Sequence, residues 1–356
     1  MNSPSTHPET CQVAIFNDPN QLLEVRGETI PEISNDDLLV RVSGCTICGS
    51  DLHTITGKRQ ESTPTILGHE IIGYIEAIGT SPRFDLAGHE IKVGDRVTWS
   101  ICISCGSCDR CEAEIPQKCV ELKKIGHEVF DSSSGFLGGF SEYVLLPGRT
   151  AVYKIDSEIE DEVFCPANCA TATVIAACRQ IRRIAGQRVL IIGAGMLGLT
   201  ATAYLKTQDA AEVTVVEPDE QRRQQAVDFG ADHVAADIQS LTQQSDVLLD
   251  FSGSSAAIES ALPLLAIHGT VVLVGTVAPS PAIAIDPEFI VRNLIHVAGV
   301  HNYRPSDLQD GLLFLQKYGL QFPFRQLVEK SFALSDINEA VEFALREKPI
   351  RVMIKP

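Results

Sequence analysis

Four cysteines lie close together in the chain, Cys105, Cys108, Cys111 and Cys119, with the spacing C-x2-C-x2-C-x7-C. Thiolates spaced this way can reach one ion, and a closed set of four sulfurs suits a structural Zn2+ in tetrahedral coordination. An iron–sulfur cluster uses the same ligand type and is one alternative. Reduced cysteines with no metal are the other. Gly106 lets the loop fold back on itself. Cys102, the fifth cysteine of the stretch, breaks the regular spacing and is left out of the set.

A second group mixes residue types. Cys48, Ser50, Asp51, His53, His69 and Glu70 are concentrated in residues 48–70, and Cys169 stands further on. Two cysteines and a histidine can hold Zn2+ with a fourth position open. An open zinc lowers the pKa of a bound hydroxyl, and Ser50 and His53 are suited to carry the proton to solvent. Each residue could equally be structural, and Cys45 is ambiguous by the same logic. Gly-His-Glu occurs three times, at residues 68–70, 88–90 and 126–128. Spacing does not say which binds metal, and surface turns are the expectation for the latter two.

The third stretch is Arg188-Val-Leu-Ile-Ile-Gly-Ala-Gly-Met-Leu-Gly-Leu-Thr200. An apolar run ends in a turn with Gly193, Gly195 and Gly198 in G-x-G-x-x-G spacing, and a helical pattern follows. In a strand–turn–helix the first glycine permits the turn. The second lets a pyrophosphate approach the backbone, and the third lets helix and strand pack closely. Val213-Thr-Val-Val-Glu217 reads as the next strand, ending in a carboxylate about 20 residues beyond the glycines. A glycine-rich turn without a cofactor is the alternative. A dinucleotide beside an open zinc gives a division of labour, in which the metal handles the proton and the nicotinamide the hydride.

The elements that must position these groups fall into two styles. Residues 11–43 alternate apolar and polar positions, with turn residues at Asn17, Asp18, Pro19 and Asn20. Residues 44–60 read as a loop or short helix, Ile71 to Ile78 as an apolar stretch, and residues 138–146 as a return to strands. From Ala167 the pattern changes. Residues 167–184 read as helical, and strands then alternate with helices to about residue 300, which implies a parallel sheet. A helix over 306–319, another from Leu334 to Ala344 capped at Ser335, and a strand at Arg351–Ile354 complete the chain. The expected organisation is α/β: a mostly β domain over 1–166, a Rossmann-type doubly wound domain over 167–300, and a return segment over 301–356 that completes the first domain.

A length of 356 residues favours two domains. The hydrophobic share of 44% is ordinary for a globular protein. No window holds 18 apolar residues, and residues 1–10 lack a signal peptide's basic start and apolar core. No membrane partner and a cytoplasmic location are therefore expected. A net charge of -17 argues against nucleic-acid binding, which needs a basic face. Eleven cysteines is an odd count, and their clustering favours metal over disulfides.

Taken together, the motifs resemble those of the zinc-containing medium-chain alcohol dehydrogenases, over nearly the whole chain, a resemblance that implies a GroES-like catalytic domain over 1–166. Cys48-Gly-Ser-Asp-Leu-His53, Gly68-His69-Glu70 and Asn168-Cys169-Ala-Thr-Ala-Thr173 match the three segments that supply the catalytic zinc, and the four-cysteine stretch matches the structural-zinc lobe. The resemblance implies two zinc ions per chain, one held by Cys48, His69 and Cys169. It makes Glu70 a neighbouring carboxylate able to approach the metal and Asp51 a residue that orients the site. Ser50 would bond the substrate oxygen, and His53 would relay its proton. Thr173, Leu197, Val274 and Gly275 are implied near the nicotinamide, and Arg351 near the coenzyme phosphates. Glu217 and Arg222 are implied at the adenosine ribose, where a carboxylate favours NAD over NADP, with Arg222 and Arg223 tempering that preference. Trp99 and Ile101 fall at substrate-pocket positions.

The family implies oxidation of a small alcohol to an aldehyde or ketone, in a homodimer or homotetramer. Polyols and amino alcohols remain open as substrates. An alkene reductase-like relative and a non-catalytic dinucleotide-binding protein are the competing classes. Pro116-Gln-Lys-Cys119, Gly126-His-Glu128 and Ala167–Val174 further resemble the dehydrogenases associated with phosphonate catabolism, which implies a hydroxyalkylphosphonate substrate. No arginine cluster near the zinc motifs is evident in the sequence, and Arg304 is one candidate anion contact.

Overall fold

Period-two alternation near the N-terminus and near-continuous apolar strands in the middle of the chain demand different sheets. A computed structural model of the chain, which describes residues 8–131 and 136–356, contains both. Two compact units are present. The first contains the described residues up to Cys169, with 304–316 and 324–356. The second contains 170–303 and 317–323.

The first unit is built on a seven-stranded sheet. Along it run Val152–Lys154, Arg96–Trp99, Glu70–Ile78, Leu38–Thr46, Arg351–Lys355 and Val328–Ala333, and Tyr143–Leu146 also pairs with Leu38–Thr46. Its core side chains, among them Leu38, Val40, Ile72, Val97, Val144 and Met353, are buried. The register positions the chemistry. Thr46 pairs with Glu70 on one side and with Met353 on the other. Arg351 is two residues from Met353 and therefore points to the same face. The C-terminal strand thus delivers a cation to the start of the strand that carries Glu70.

The second unit holds a six-stranded sheet in the order His233–Ala235, Glu212–Val216, Arg188–Ile192, Ser245–Asp250, Leu265–Leu273, His296–Gly299. Every pairing is parallel. In chain order this is 3-2-1-4-5-6, the doubly wound arrangement whose crevice opens where the order reverses. Leu190, Ile192, Val216, Leu248 and Val271 form part of its core.

Two local expectations are corrected. The helix expected over 167–184 is shorter, Ala170–Cys178, because Pro166 starts a 3-10 turn, Cys165–Asn168, ahead of it. Ser335 does not cap the last helix. Leu334–Asp336 forms a 3-10 turn, and the helix begins at Ile337 after Asp336. Among the described residues no helix is long and apolar enough to cross a membrane.

Candidate active site and coenzyme turn

The four-cysteine stretch folds on itself through two short elements, Asp109–Glu112 and the 3-10 turn Pro116–Lys118. Cys105 Sγ lies 3.9 Å from Cys111 Sγ and 3.4 Å from Cys119 Sγ. Cys108 Sγ lies 3.6 Å from Cys111 Sγ and 3.9 Å from Cys119 Sγ. A tetrahedron with metal–sulfur bonds of ~2.3 Å has edges of about 3.8 Å, so the spacing fits zinc. Backbone N–H groups favour thiolates here. Those of Val120 and Cys111 hold Cys108 down to about 6. Burial, followed by the Cys108 thiol, pushes Cys111 up to about 11.

The second set is assembled from distant segments. One ligand atom each from Cys48, His69, Glu70 and Cys169 lies within 4.8 Å of all the others. Cys48 precedes the helix Gly49–Ile55, and its backbone N–H donates to Asp51 Oδ2 at 2.8 Å. His69 follows Gly68, whose φ is +86°. A Cβ at Gly68 would sit 2.7 Å from Cys45 Sγ and from Phe140, so only glycine delivers the histidine here. Cys169 is held by its neighbour. Asn168 Nδ2 donates to the Trp99 carbonyl at 3.1 Å, and Asn168 Oδ1 accepts from Ile71 N–H at 3.2 Å.

The charges around this set are paired. Arg351 donates from Nε and Nη2 to the two Glu70 oxygens, both at 2.7 Å. Thr46 Oγ1 donates to Glu70 Oε2 at 2.5 Å, and Arg351 Nη2 reaches Cys48 Sγ at 3.7 Å. Burial raises Glu70 to about 7 against the pull of Arg351. A hydrogen bond with Cys169, then Arg351, holds the Cys48 thiol well below its ordinary range despite burial, and Cys169 is raised correspondingly. Cys48 is thus predisposed to the thiolate that binds metal. His69 Nδ1 lies 3.2 Å from Asp51 Oδ1, a charge contact off the line of a hydrogen bond. Burial opposes protonation of His69, but Asp51 prevails and raises it to about 10.

Ser50 Oγ lies 3.4 Å from His69 Nε2, so the hydroxyl shares the face presented by the ligands. His53, three residues along the same helix, is exposed. Partial burial and the Lys58 ammonium lower its pKa. His89 is a surface residue, 70% exposed, beside Asp85. His127 is not the surface turn expected: its side chain is 7% exposed, and its ring stands 5.4 Å from that of His69. Chain spacing could not reveal this, because the approach depends on Gly126 packing against Gly68. Trp99 is fully buried in the sheet. Arg304 pairs with Glu114 at 3.3 Å. Cys45, Cys102 and Cys165 are buried outside both ligand sets.

In the second unit, the glycine turn follows the strand Arg188–Ile192 and leads into the helix Met196–Thr207. A Cβ on Gly198 would lie 1.9 Å from the Gly193 carbonyl oxygen, so helix and turn touch only through glycine. A Cβ on Gly195 would meet open space, the gap a pyrophosphate needs. Glu217 directly follows the neighbouring strand, Glu212–Val216. Its Oε2 accepts from Ala194 N–H at 2.9 Å and its Oε1 from Asp219 N–H at 3.1 Å, which fixes the carboxylate against the turn. Arg223 Nη1 donates to the Glu217 and Pro218 carbonyls at 2.8 and 2.6 Å. Arg222 lies in the first turn of the following helix, Glu220–Asp228, its N–H bonded to the Asp219 side chain that caps it. Leu197 and Thr173 are half-buried on helices. Val274 and Gly275 donate N–H groups to the Asp250 carbonyl beside the same crevice.

Residues 34–157 match the family described as alcohol dehydrogenase GroES-like domain, and residues 197–317 match zinc-binding dehydrogenase. A protein named probable alcohol dehydrogenase from Mycobacterium tuberculosis (strain ATCC 25618 / H37Rv) is 32% identical, covering 94% of this chain and 95% of its own. Sorbitol dehydrogenase of Bacillus subtilis (strain 168) is 27% identical and covers 99% of each. The solved structure of an alcohol dehydrogenase from Thermotoga maritima superposes with a TM-score of 0.92 at 24% identity, covering 98% of this chain and 99% of the other. The fold, both cysteine sets and these likenesses lead to one assignment: the chain belongs to the zinc-containing medium-chain alcohol dehydrogenase family.

Proposed function

We propose that the protein is a zinc-dependent, NAD-linked alcohol dehydrogenase: alcohol and NAD+ give an aldehyde or ketone, NADH and a proton. The observation that carries this reading is the convergence of Cys48, His69 and Cys169, with Glu70 in reach but already paired to Arg351. Three ligands fit an ion with an open position, and the four-cysteine lobe fits a closed one. When bound, the catalytic zinc polarises the substrate oxygen and the nicotinamide supplies the hydride acceptor.

The chain's own groups do the rest. Ser50 Oγ bonds the substrate hydroxyl and takes its proton. His53, kept neutral near pH 7 by its lowered pKa, passes that proton to solvent. Asp51 orients His69 and the Cys48 backbone. Arg351 holds Glu70 rather than contacting coenzyme phosphates, since Nε and Nη2 bond that carboxylate and Nη1 the Ile350 carbonyl. Gly193, Gly195 and Gly198 admit the pyrophosphate, with Thr173, Leu197, Val274 and Gly275 around the nicotinamide.

Structural neighbours hold NADH in one case and NADP in another. The choice of NAD rests on Glu217, whose fixed carboxylate accepts from ribose hydroxyls and repels a 2′-phosphate. Arg223 is occupied by backbone carbonyls, which weakens the contrary argument. Among alcohols, the phosphonate-associated motifs favour a hydroxyalkylphosphonate. Polyols are the competing set, as in the names of the sorbitol and D-arabitol-phosphate dehydrogenases that the chain resembles. We assign the protein to the cytoplasm as a homodimer or homotetramer.

Metal analysis of the purified protein should find two zinc ions per chain. A screen of alcohols and hydroxyalkylphosphonates, followed by NADH absorbance, should find turnover. One zinc per chain with no oxidation of any alcohol would overturn the reading.

A further inference from the structure

The last side-chain torsion of a histidine is broad, so the plane of its ring is set by contacts from outside. His69 meets two groups of the helix Gly49–Ile55. Asp51 Oδ1 stands 3.2 Å from Nδ1, off the line of a hydrogen bond, and Ser50 Oγ stands 3.4 Å from Nε2, at the long end of one. Neither is a strong directional restraint on the ring plane. The third neighbour is the His127 ring, its centroid 5.4 Å from that of His69 and its plane 31° from parallel.

His127 is itself tied down. Its Nδ1 lies 3.0 Å from Glu61 Oε1. A carboxylate only accepts, so Nδ1 donates this bond. Arg59 Nη2 pairs with the same oxygen at 2.5 Å. The Arg59 backbone N–H donates to the His53 carbonyl at 3.0 Å, which anchors the pair to the end of the helix that carries Ser50 and Asp51. The backbone under the ring is fixed too. The His127 N–H donates to the Lys124 carbonyl at 3.1 Å, and a Cβ on Gly126 would lie 2.8 Å from the Gly68 carbonyl oxygen and 3.2 Å from His69 Cβ. The contacts close a circuit: from the helix through Arg59 and Glu61 to His127, across to His69, and back to the helix at Asp51.

We propose that His127, tethered by Glu61 and Arg59, is a positioning residue of the buried centre: its ring braces His69 and sets that ligand in place for the metal. The inference rests on the zinc assignment within the alcohol dehydrogenase reading and deepens it. A ligand held in its binding geometry loses less freedom when the metal arrives, so the brace is expressed as metal affinity and as the shape of the coordination sphere.

The test uses the full chain loaded with Co2+ in place of Zn2+, because the visible absorption of Co2+ reports ligand geometry. The absorption that disappears in Cys48→Ala belongs to the buried centre. In His127→Ala this absorption should shift, and the metal should bind about 10- to 100-fold more weakly in competition with a chelator, the scale for loss of an outer partner of a ligand. Glu61→Leu frees the His127 ring without removing it and should move both readouts in the same direction by less. Glu61→Gln keeps an acceptor for Nδ1 and should stay near wild type. Denaturant unfolding of the metal-free variants separates a brace from a space-filler. Lower stability with unshifted absorption and unchanged affinity, in both His127→Ala and Glu61→Leu, would overturn the proposal. If His127→Ala does not fold, the Glu61 pair decides alone. If Cys48→Ala loses no absorption, the zinc reading of the buried centre fails. Absorption lost there but indifferent to His127 and Glu61 overturns only the brace.

Discussion

The two cysteine centres of the first unit are opposite solutions to one problem. The four-sulfur lobe takes all its ligands from residues 105–119, and three of its cysteines are only half-buried. The other centre draws Cys48, His69 and Cys169 from separate segments, and Cys48 and His69 are buried. A closed local set needs little beyond loop geometry. A buried dispersed set needs a surrounding frame, and here Arg351, Glu70, Thr46, Asp51 and Asn168 supply it through hydrogen bonds to one another and to the ligand-bearing segments. The lobe should therefore matter to integrity and the buried set to chemistry.

The sharpest way to break this contrast is Cys48→Ala. It should lower alcohol oxidation by more than about 10³-fold, since Lewis-acid assistance is worth several kcal/mol. Zinc content should fall by one per chain while coenzyme titration is unchanged. Oxidation at the wild-type rate would sink the assignment of the buried centre.

Next in size is Arg351→Met. It strands the Glu70 carboxylate in the interior and should cost about 3–5 kcal/mol of stability in denaturant unfolding. Adding Glu70→Gln should recover part of that loss. A single variant as stable as wild type would show that the frame is dispensable.

Asp51→Asn keeps the shape of the side chain but removes the charge facing His69. Loss of such an outer partner should reduce metal affinity or turnover about 10- to 100-fold, measured by competition with a chelator. An affinity equal to wild type would mean that Asp51 serves only the Cys48 backbone.

The smallest effect on turnover per folded chain is expected for Cys108→Ser. The lobe should lose its metal and become open to limited proteolysis within 105–119, with a lower heat stability. If this variant abolishes turnover as fully as Cys48→Ala while remaining folded, the contrast between the centres is wrong.

Much of this was legible before folding. C-x2-C-x2-C-x7-C announces the lobe because its ligands are neighbours in the chain. G-x-G-x-x-G followed by a strand ending in Glu217 announces the parallel sheet, because each glycine answers a local steric demand. The buried centre was visible as residue types, and the family resemblance selected among them. The burial of His127 against His69 was not legible, because in the chain Gly126-His127-Glu128 looks like Gly88-His89-Glu90. One is seated by a backbone contact between Gly126 and Gly68, and the other is left in solvent.

Ligand types, the glycine turn and the alternation that separates a β-rich unit from a parallel one are all written in the order of the residues. These depend on residues a few positions apart. Long-range packing alone brings Arg351 onto Glu70, across 281 positions of chain, and sets the His127 ring 5.4 Å from that of His69. Strand register sets the first and loop packing the second, and both are long-range consequences of burying the same apolar faces.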